Sequence, residues 1–219
     1  MTAVIICDGS FPKKEYPRYL IASADIVICC DGSLRHYLKA MPSIFGGRER
    51  LPDAVVGDMD SLPGSLQKQF KDIIVHYTEQ DYNDQTKAVR YLLERWPDVE
   101  TIHILGATGK RTDHTIGNVS LLMEYGRLFP QIKGRELDMV TDYDTLFPIW
   151  DSCRLTVGKG RKVSIIAADN TIKIKSFGLE YPTENVIFDN WWKATLNRAV
   201  EDEIYLELSH PSMVLICLD

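Results

Sequence analysis

The sequence predicts an α/β domain over residues 1–142, doubly wound around a mainly parallel sheet, followed by a small all-β sandwich or barrel over 143–219. Three observations predict this. Short apolar runs alternate with amphipathic helical stretches through the first two thirds, as in a parallel sheet covered on both faces. The helical period stops near residue 142. Beyond it, short strand-like runs follow one another between turn residues, the pattern of an antiparallel sandwich or barrel.

The first domain's strands are expected at residues 3–7, 25–30, 54–56, 73–77, 101–105 and 137–141, each a short run rich in β-formers. A helix over 33–40 follows Asp31-Gly32, and a short one is expected over 64–71. The clearest helix covers 84–96: Ala88, Leu92 and Trp96 recur every four residues, Val89 and Leu93 lie beside them, and Pro97 ends the run. A fourth covers 113–129, amphipathic through Ile116, Leu121, Leu122, Tyr125 and Phe129. In the second domain, strands are expected at 154–157, 163–167, 171–176, 186–188, 204–208 and 213–218. Gly158-Lys159-Gly160, Asp169-Asn170, Gly178 and His210-Pro211 punctuate them. So small a domain holds no large pocket alone and is expected to pack on the first domain or on a second copy.

Composition narrows the function classes. The chain has 219 residues, 45% hydrophobic and 26% charged, which is globular rather than disordered. Its net charge of −6 favours neither nucleic acid nor an anionic membrane. An anionic substrate therefore needs local help from Lys, Arg or a metal. The apolar run 3–7 ends at Asp8, too short for a signal-peptide core, and no later run approaches membrane-spanning length. Five cysteines without a C-x-x-C pair read as buried, reduced thiols, which points to the cytoplasm.

The candidate site lies where the expected strands end, since ligands of parallel α/β sheets bind outside the carboxyl ends of the strands. The central stretch is Gly57-Asp58-Met59-Asp60-Ser61, after the apolar run Ala54-Val55-Val56. Two carboxylates one residue apart in an extended segment project to the same side, and two hard oxygen ligands on one face suit Mg²⁺. The same residue types also serve a solvated turn. After the first strand comes Cys7-Asp8-Gly9-Ser10, and after the second Cys30-Asp31-Gly32-Ser33, in which Asp31 or Ser33 also suits a helix N-cap. Asp84 reads as the N-cap of the strong helix, with Gln85, Thr86 and Lys87 following. Lys87, three residues on, shares a helix face with Asp84. Such a helix start suits a metal with a polyphosphate. The loop Gly106-Ala107-Thr108-Gly109-Lys110-Arg111-Thr112-Asp113-His114 offers backbone that closes on phosphate and the fork-shaped cation of Arg111. His114 also fits a partly buried helix position, and Asn118 either faces the cleft or is solvated. Three Asp residues, a Lys and an Arg around one helix start describe a Mg²⁺-dependent phosphoryl or pyrophosphoryl transfer site.

The series CDGS, LPDAVVGDMDS, NDQTKA and LGATGKRTDHTIGN, in this order and spacing, resembles the thiamine pyrophosphokinase family. The match runs on through Gly178-Leu179-Glu180-Tyr181 and His210-Pro211. The resemblance implies transfer of the ATP β,γ-pyrophosphoryl group to the hydroxyethyl oxygen of thiamine, with release of AMP. It implies Asp58, Asp60 and Asp84 at Mg²⁺, with these three, Lys87 and Arg111 as the catalytic set. It puts Gln85, Thr86 and Lys87 at the ATP phosphates, Asp31, Gly32 and Ser33 by the nucleotide, and Gly106 and Gly109 in the phosphate loop. It sets Asp113 at the thiamine aminopyrimidine, with Asn118, Tyr181, Thr195 and Asn197 completing the thiamine pocket. It further implies a homodimer whose active sites lie between one subunit's α/β domain and the other's β domain.

The departures lie in the second domain. Tyr181 stands where the family commonly has Trp, and Ala194-Thr195-Leu196-Asn197 where it has Ser-Thr-Ser-Asn. Trp191 and Trp192 precede that segment and suit either packing or stacking on a substrate. Two rival readings remain at this stage: another D-x-D metal–nucleotide transferase, such as a nucleotide-sugar glycosyltransferase, and a nucleotide- or thiamine-binding regulator without turnover.

Overall fold

A computed structural model describes residues 1–219. The chain forms two compact units, one of residues 1–121 and 134–142, the other of 122–133 and 143–219. The fold class is the expected one: an α/β region with a parallel sheet and an all-β region.

In the first unit the elements run β1 (Thr2–Ile6), α1 (Glu15–Ser23), β2 (Ile26–Cys30), α2 (Ser33–Ile44), β3 (Ala54–Gly57), α3 (Gly64–Gln69), β4 (Ile74–His76), α4 (Asp84–Arg95), β5 (Thr101–Leu105), the start of α5 (Thr112–Leu128), and β6 (Glu136–Val140). The six strands are all parallel, in the order β6-β5-β1-β2-β3-β4. Val4, Ile6, Val27, Cys29 and Val55 form one sheet face and pack with Leu20 and Ile21 of α1 and Leu34 and Tyr37 of α2. Residues alternating with them point to the opposite face, where α4 crosses β1, β2 and β3 and buries Ala88, Val89, Leu92 and Leu93. The chain winds from β1 to β4 in one direction and then returns to place β5 on the other side of β1. That reversal is the topological switch point, and it lies between β1 and β5.

The second unit, besides the end of α5, holds β7 (Thr145–Ile149), β8 (Cys153–Thr156), β9 (Lys162–Ala167), β10 (Ile174–Phe177), β11 (Ala194–Arg198), β12 (Glu203–Leu208) and β13 (Val214–Leu218). Its strands pair antiparallel as β11-β9-β13-β7 and β10-β12-β8. Inward residues alternate along β9, β12 and β13, so that Val163, Ile165, Ile204, Leu206, Val214 and Ile216 share one core. This is the sandwich solution of two sheets burying one face each.

Several expectations need correcting. Residues 186–188 form no strand: the Val186 N–H donates to the Thr183 carbonyl in a turn, and Phe188 reaches the core from irregular backbone. Strand β10 begins at Ile174 because Thr171 is held in a turn by Asp169, through its N–H at 2.8 Å and its hydroxyl at 2.6 Å. Helix α4 is capped by Asn83, not Asp84: the Asn83 side chain accepts from the Thr86 N–H at 3.0 Å, and Asp84 is the first helical residue.

Candidate active site

A cavity of about 480 Å³ opens at the carboxyl ends of the parallel strands, and all its lining residues belong to the first unit. Asp8 and Gly9 follow β1, and Ala107, Thr108 and Lys110 follow β5, so its walls stand on both sides of the switch point. Arg111 extends the wall after β5, and the loops after β2, β3 and β4 with the starts of α4 and α5 supply the rest.

The acidic group forms where β3 ends at Gly57. A side chain there would come within 3.0 Å of Asp31 Cβ and 3.1 Å of Asp84 Oδ1, so the missing side chain lets the carboxylates gather. Asp31, Asp58 and Asp60 each bring a carboxylate oxygen within 4.8 Å of the other two. The segment is not extended as the alternation argument supposes. Met59 is left-handed at φ 64°, and this turn is what brings Asp58 and Asp60 together. Hydrogen bonds fix the carboxylates: the Asp60 N–H donates to Asp58 Oδ1 at 3.2 Å, Gln80 Nε2 to Asp58 Oδ2 at 3.2 Å, and the Ser61 hydroxyl to Asp60 Oδ1 at 2.9 Å.

Asp31 is the unusual member. It is 2% exposed and left-handed at φ 38°. Its Oδ2 accepts the Ser61 N–H at 3.0 Å, while its buried Oδ1 has no partner. Such an orphan is costly unless a ligand completes it. Burial pushes the Asp31 carboxyl up to about 6; the Ser61 N–H opposes this, and a hydrogen bond with Asp60 and the charges of Asp84 and Asp60 add to it. Burial also raises Asp84, partly offset by Lys87. For Asp58 burial works upward too, but the Gln80 and Asp60 hydrogen bonds and the Lys87 charge outweigh it and hold the carboxyl low.

The start of α4 forms the floor. Lys87 Nζ is 3.5 Å from Asp84 Oδ1 with its side chain 2% exposed, the same-face pairing expected from the i, i+3 spacing. Asn83 Nδ2 donates to Asn118 Oδ1 at 2.7 Å, and Asn118 Nδ2 to the Ala107 carbonyl at 2.7 Å. Gln85 Nε2 donates to the Asn118 carbonyl at 3.2 Å. Asn118 thus ties the α4 start to the loop after β5.

Of the residues singled out in the sequence, the cavity gathers Asp31, Gly32, Asp58, Asp60, Asp84, Gln85, Lys87, Arg111 and Asn118. Others support the walls. The Ser33 hydroxyl donates to the Ile6 carbonyl at 2.7 Å, and Thr86 is buried beside Asn83. Gly106 and Gly109 pack the loop after β5 against Cys7 and Ser10. Asp113 lies outside the lining, paired with Arg111. Tyr181, Thr195 and Asn197 belong to the second unit. There Asn197 is buried, its Oδ1 accepting the Tyr181 N–H at 3.0 Å and its Nδ2 donating to the Tyr181 carbonyl at 2.6 Å. The Thr195 hydroxyl donates to the Trp192 carbonyl. Gln80 and Lys110 carry no sequence expectation of their own, yet both line the cavity. The polar side chain of Gln80 just ahead of a helix start was the only signal for it.

The comparisons with known proteins fit this site. The profile of the thiamin pyrophosphokinase catalytic domain matches residues 17–133, and that of the thiamin pyrophosphokinase substrate-binding domain matches residues 145–215. The chain is similar to thiamine pyrophosphokinase 3 of Oryza sativa subsp. japonica, 30% identical over 143 residues, which are 58% of this chain and 51% of that protein. It is likewise similar to thiamine pyrophosphokinase of Bacillus subtilis, 30% identical over 140 residues, 62% of this chain and 63% of the relative. In these alignments the chain spans from about half to under two thirds of the relatives' length. The crystal structure of yeast thiamin pyrophosphokinase has the same fold, with a TM-score of 0.76 at 17% identity, covering 99% of this chain and 86% of that one. With both family domains matched in chain order, this chain belongs to the thiamin pyrophosphokinase family.

Proposed function

We propose that this protein is a thiamine diphosphokinase: it transfers the pyrophosphoryl group of Mg-ATP to the hydroxyethyl group of thiamine, giving thiamine diphosphate and AMP. The observation that carries this is the carboxylate group at the switch point, with the orphaned, buried Oδ1 of Asp31 beside Asp58 and Asp60. A hard, all-oxygen donor set with a partnerless buried carboxylate oxygen fits a divalent magnesium ion. Asp58 and Asp60 would hold it with Asp31 or Asp84. Asp84 is the ligand the resemblance implies, whereas the gathered oxygens favour Asp31 and leave Asp84 on Lys87. Such an ion would neutralise phosphate charge and orient the chain for in-line displacement.

The protein's own groups do the positioning. The positive end of the α4 dipole and the Lys87 ammonium attract the polyphosphate, with Gln85 and Thr86 on the same turn. Asp31 and Gly32 lie by the nucleotide, with Ser33 anchoring their turn from beneath through the Ile6 carbonyl, and the Gly106 and Gly109 loop shapes the opposite wall. Arg111 faces charge that develops as the thiamine hydroxyl oxygen attacks the β-phosphorus and the bond to the AMP oxygen breaks. The hydroxyl proton is lost, and the bonding pair leaves on AMP. Asp113 is a carboxylate suited to the aminopyrimidine of a cationic substrate, and the Arg111 hydrogen bond keeps its carboxyl low and ionised. Tyr181, Thr195 and Asn197 of the β unit would complete the thiamine pocket in a homodimer whose active sites lie between subunits. The five cysteines are free thiols, which fits a cytoplasmic protein.

The test is one incubation with Mg²⁺, ATP and thiamine, assayed for AMP and thiamine diphosphate, with EDTA as control. Equimolar products that EDTA abolishes are expected. ADP with thiamine monophosphate would place the attack on the wrong phosphorus, and no turnover would sink the reading.

A further inference from the structure

Three cations line the cavity, and they are differently committed. Lys87 is buried against Asp84 on the floor. Arg111 donates from Nε to Asp113 Oδ1 at 3.1 Å and from Nη2 to Asp113 Oδ2 at 2.5 Å, while its side chain stands mostly in solvent. Lys110 does something else. Its Nζ crosses the switch point from the loop after β5 to Asp8 Oδ1 after β1, at 3.1 Å. Asp8 is held from a third element as well, with His36 Nε2 of α2 at 3.4 Å, and its Oδ2 lies over Gly32. Both Asp8 and Lys110 line the cavity.

We propose that Lys110 is a polyphosphate contact of this enzyme and that Asp8 is its resting partner, occupying the ammonium until an anionic phosphate replaces the carboxylate. The proposal rests on the reading that the cavity takes a nucleoside triphosphate. A half-exposed lysine–carboxylate pair is held weakly, whereas a charge-assisted bond to a phosphate oxygen is among the stronger polar contacts. Lysine suits the exchange because its point charge sits on a flexible four-carbon stem and turns to a new acceptor without breaking a planar fork. Arg111, joined to Asp113 by two bonds at once, presents a planar fork that keeps its orientation instead of turning from one acceptor to another. A resting carboxylate also discriminates. A ligand with a short or weakly charged phosphate competes poorly with Asp8, and a triphosphate competes well.

The experiment measures binding of Mg-ATP, inorganic tripolyphosphate and AMP to the wild type, Lys110→Ala and Asp8→Asn by calorimetry, with melting temperatures alongside. Lys110→Ala is expected to weaken Mg-ATP and tripolyphosphate roughly tenfold, the loss of one charged contact, and to leave AMP unmoved. Asp8→Asn is expected to act in the opposite direction, tightening tripolyphosphate, because the ammonium is released. A purely structural bridge would weaken all three ligands in both variants together with the melting temperature, and that result overturns the proposal. So does a Lys110→Ala protein that binds Mg-ATP like the wild type while the wild type converts thiamine, a result that spares the reading of the cavity. A wild type that binds no nucleoside triphosphate sinks both.

Discussion

Asp31 shows how one residue couples stability to binding. Its carboxyl is displaced upward to about 6, against an unfolded value of roughly 3.9. For a carboxyl raised on folding, the stabilising contribution is complete below the unfolded value and is lost as pH rises through about 6. At pH 8 the metal-free protein therefore carries a buried, ionised carboxylate that opposes folding. Asp31→Asn keeps an acceptor for the Ser61 N–H and removes the charge. It is expected to stabilise the protein in EDTA at pH 8 by an amount on the order of 1 kcal/mol, read as a higher melting temperature, while abolishing turnover; a lower melting temperature would contradict the account. If Asp31 is the third ligand, Mn²⁺ affinity of the wild type should fall as pH drops through about 6, since a protonated carboxyl is a poor ligand; with Asp84 in that place, no such fall through 6 is expected. Titration of Mn²⁺ by paramagnetic relaxation at pH 5 and pH 8 checks it. Asp60→Asn is expected to lose activity roughly a hundredfold or more with an unchanged melting temperature, because the side chain is exposed and the amide oxygen still accepts the Ser61 hydroxyl. An active Asp60→Asn enzyme would remove Asp60 from the metal site.

At the scale of elements, α5 offers a paired test in one helix. A Cβ on Gly117 meets nothing within 4 Å, whereas a Cβ on Gly126 would lie 2.3 Å from the Trp150 ring. That indole is held in place by its Nε1–H donating to the Met123 carbonyl at 3.0 Å. Gly117→Ala should gain up to about 1 kcal/mol from helix propensity. In Gly126→Ala the same gain is opposed by overpacking of about 1–3 kcal/mol against a rigid ring, so the net effect is a loss. Urea midpoints moving in opposite directions are expected; both rising would show that Trp150 yields freely. The elements also divide by how legible they are. Helix α4 is plain in the sequence because its burial repeats every four residues and Pro97 stops it, and the parallel strands are plain because both faces are buried. Helix α1 is hidden: nine residues long, it carries Pro17 and buries only Pro17, Leu20 and Ile21. Strand β7 is masked by Pro148, and β11 by the irregular register around left-handed Leu196. In the site, Asp58 and Asp60 are readable from local spacing, but the Asp31 neighbourhood and the Asp8–Lys110 pair are not. Residues 102 positions apart meet only because β1 and β5 are sheet neighbours.

At the scale of the whole molecule, the distribution of exposed apolar side chains is uneven. Phe177, Tyr181, Ile187, Trp191, Trp192, Leu196 and Val200 are seven of the fourteen large exposed apolar residues, and they fall within one stretch of the β unit. Left in water, so many aromatic and aliphatic side chains in one stretch are a liability unless a partner covers them. A second copy is the economical partner, since a two-fold contact needs only one self-complementary patch. The net charge of −6 on each copy opposes that contact, so the association should strengthen with salt as the repulsion is screened. Sedimentation of the wild type is expected to give a dimer that persists at micromolar concentration and tightens between low and physiological ionic strength. Trp192→Glu and Leu196→Glu place a charge on side chains that are 65% and 81% exposed in the single chain, so neither disturbs the core. Both should shift the equilibrium to monomer with the fold retained by circular dichroism. If active sites lie between subunits, the monomeric variants should still bind Mg-ATP in the α/β unit yet lose conversion of thiamine, and activity should return with protein concentration. A monomeric wild type, or a Trp192→Glu monomer that converts thiamine at full rate, would show that one chain suffices for the reaction.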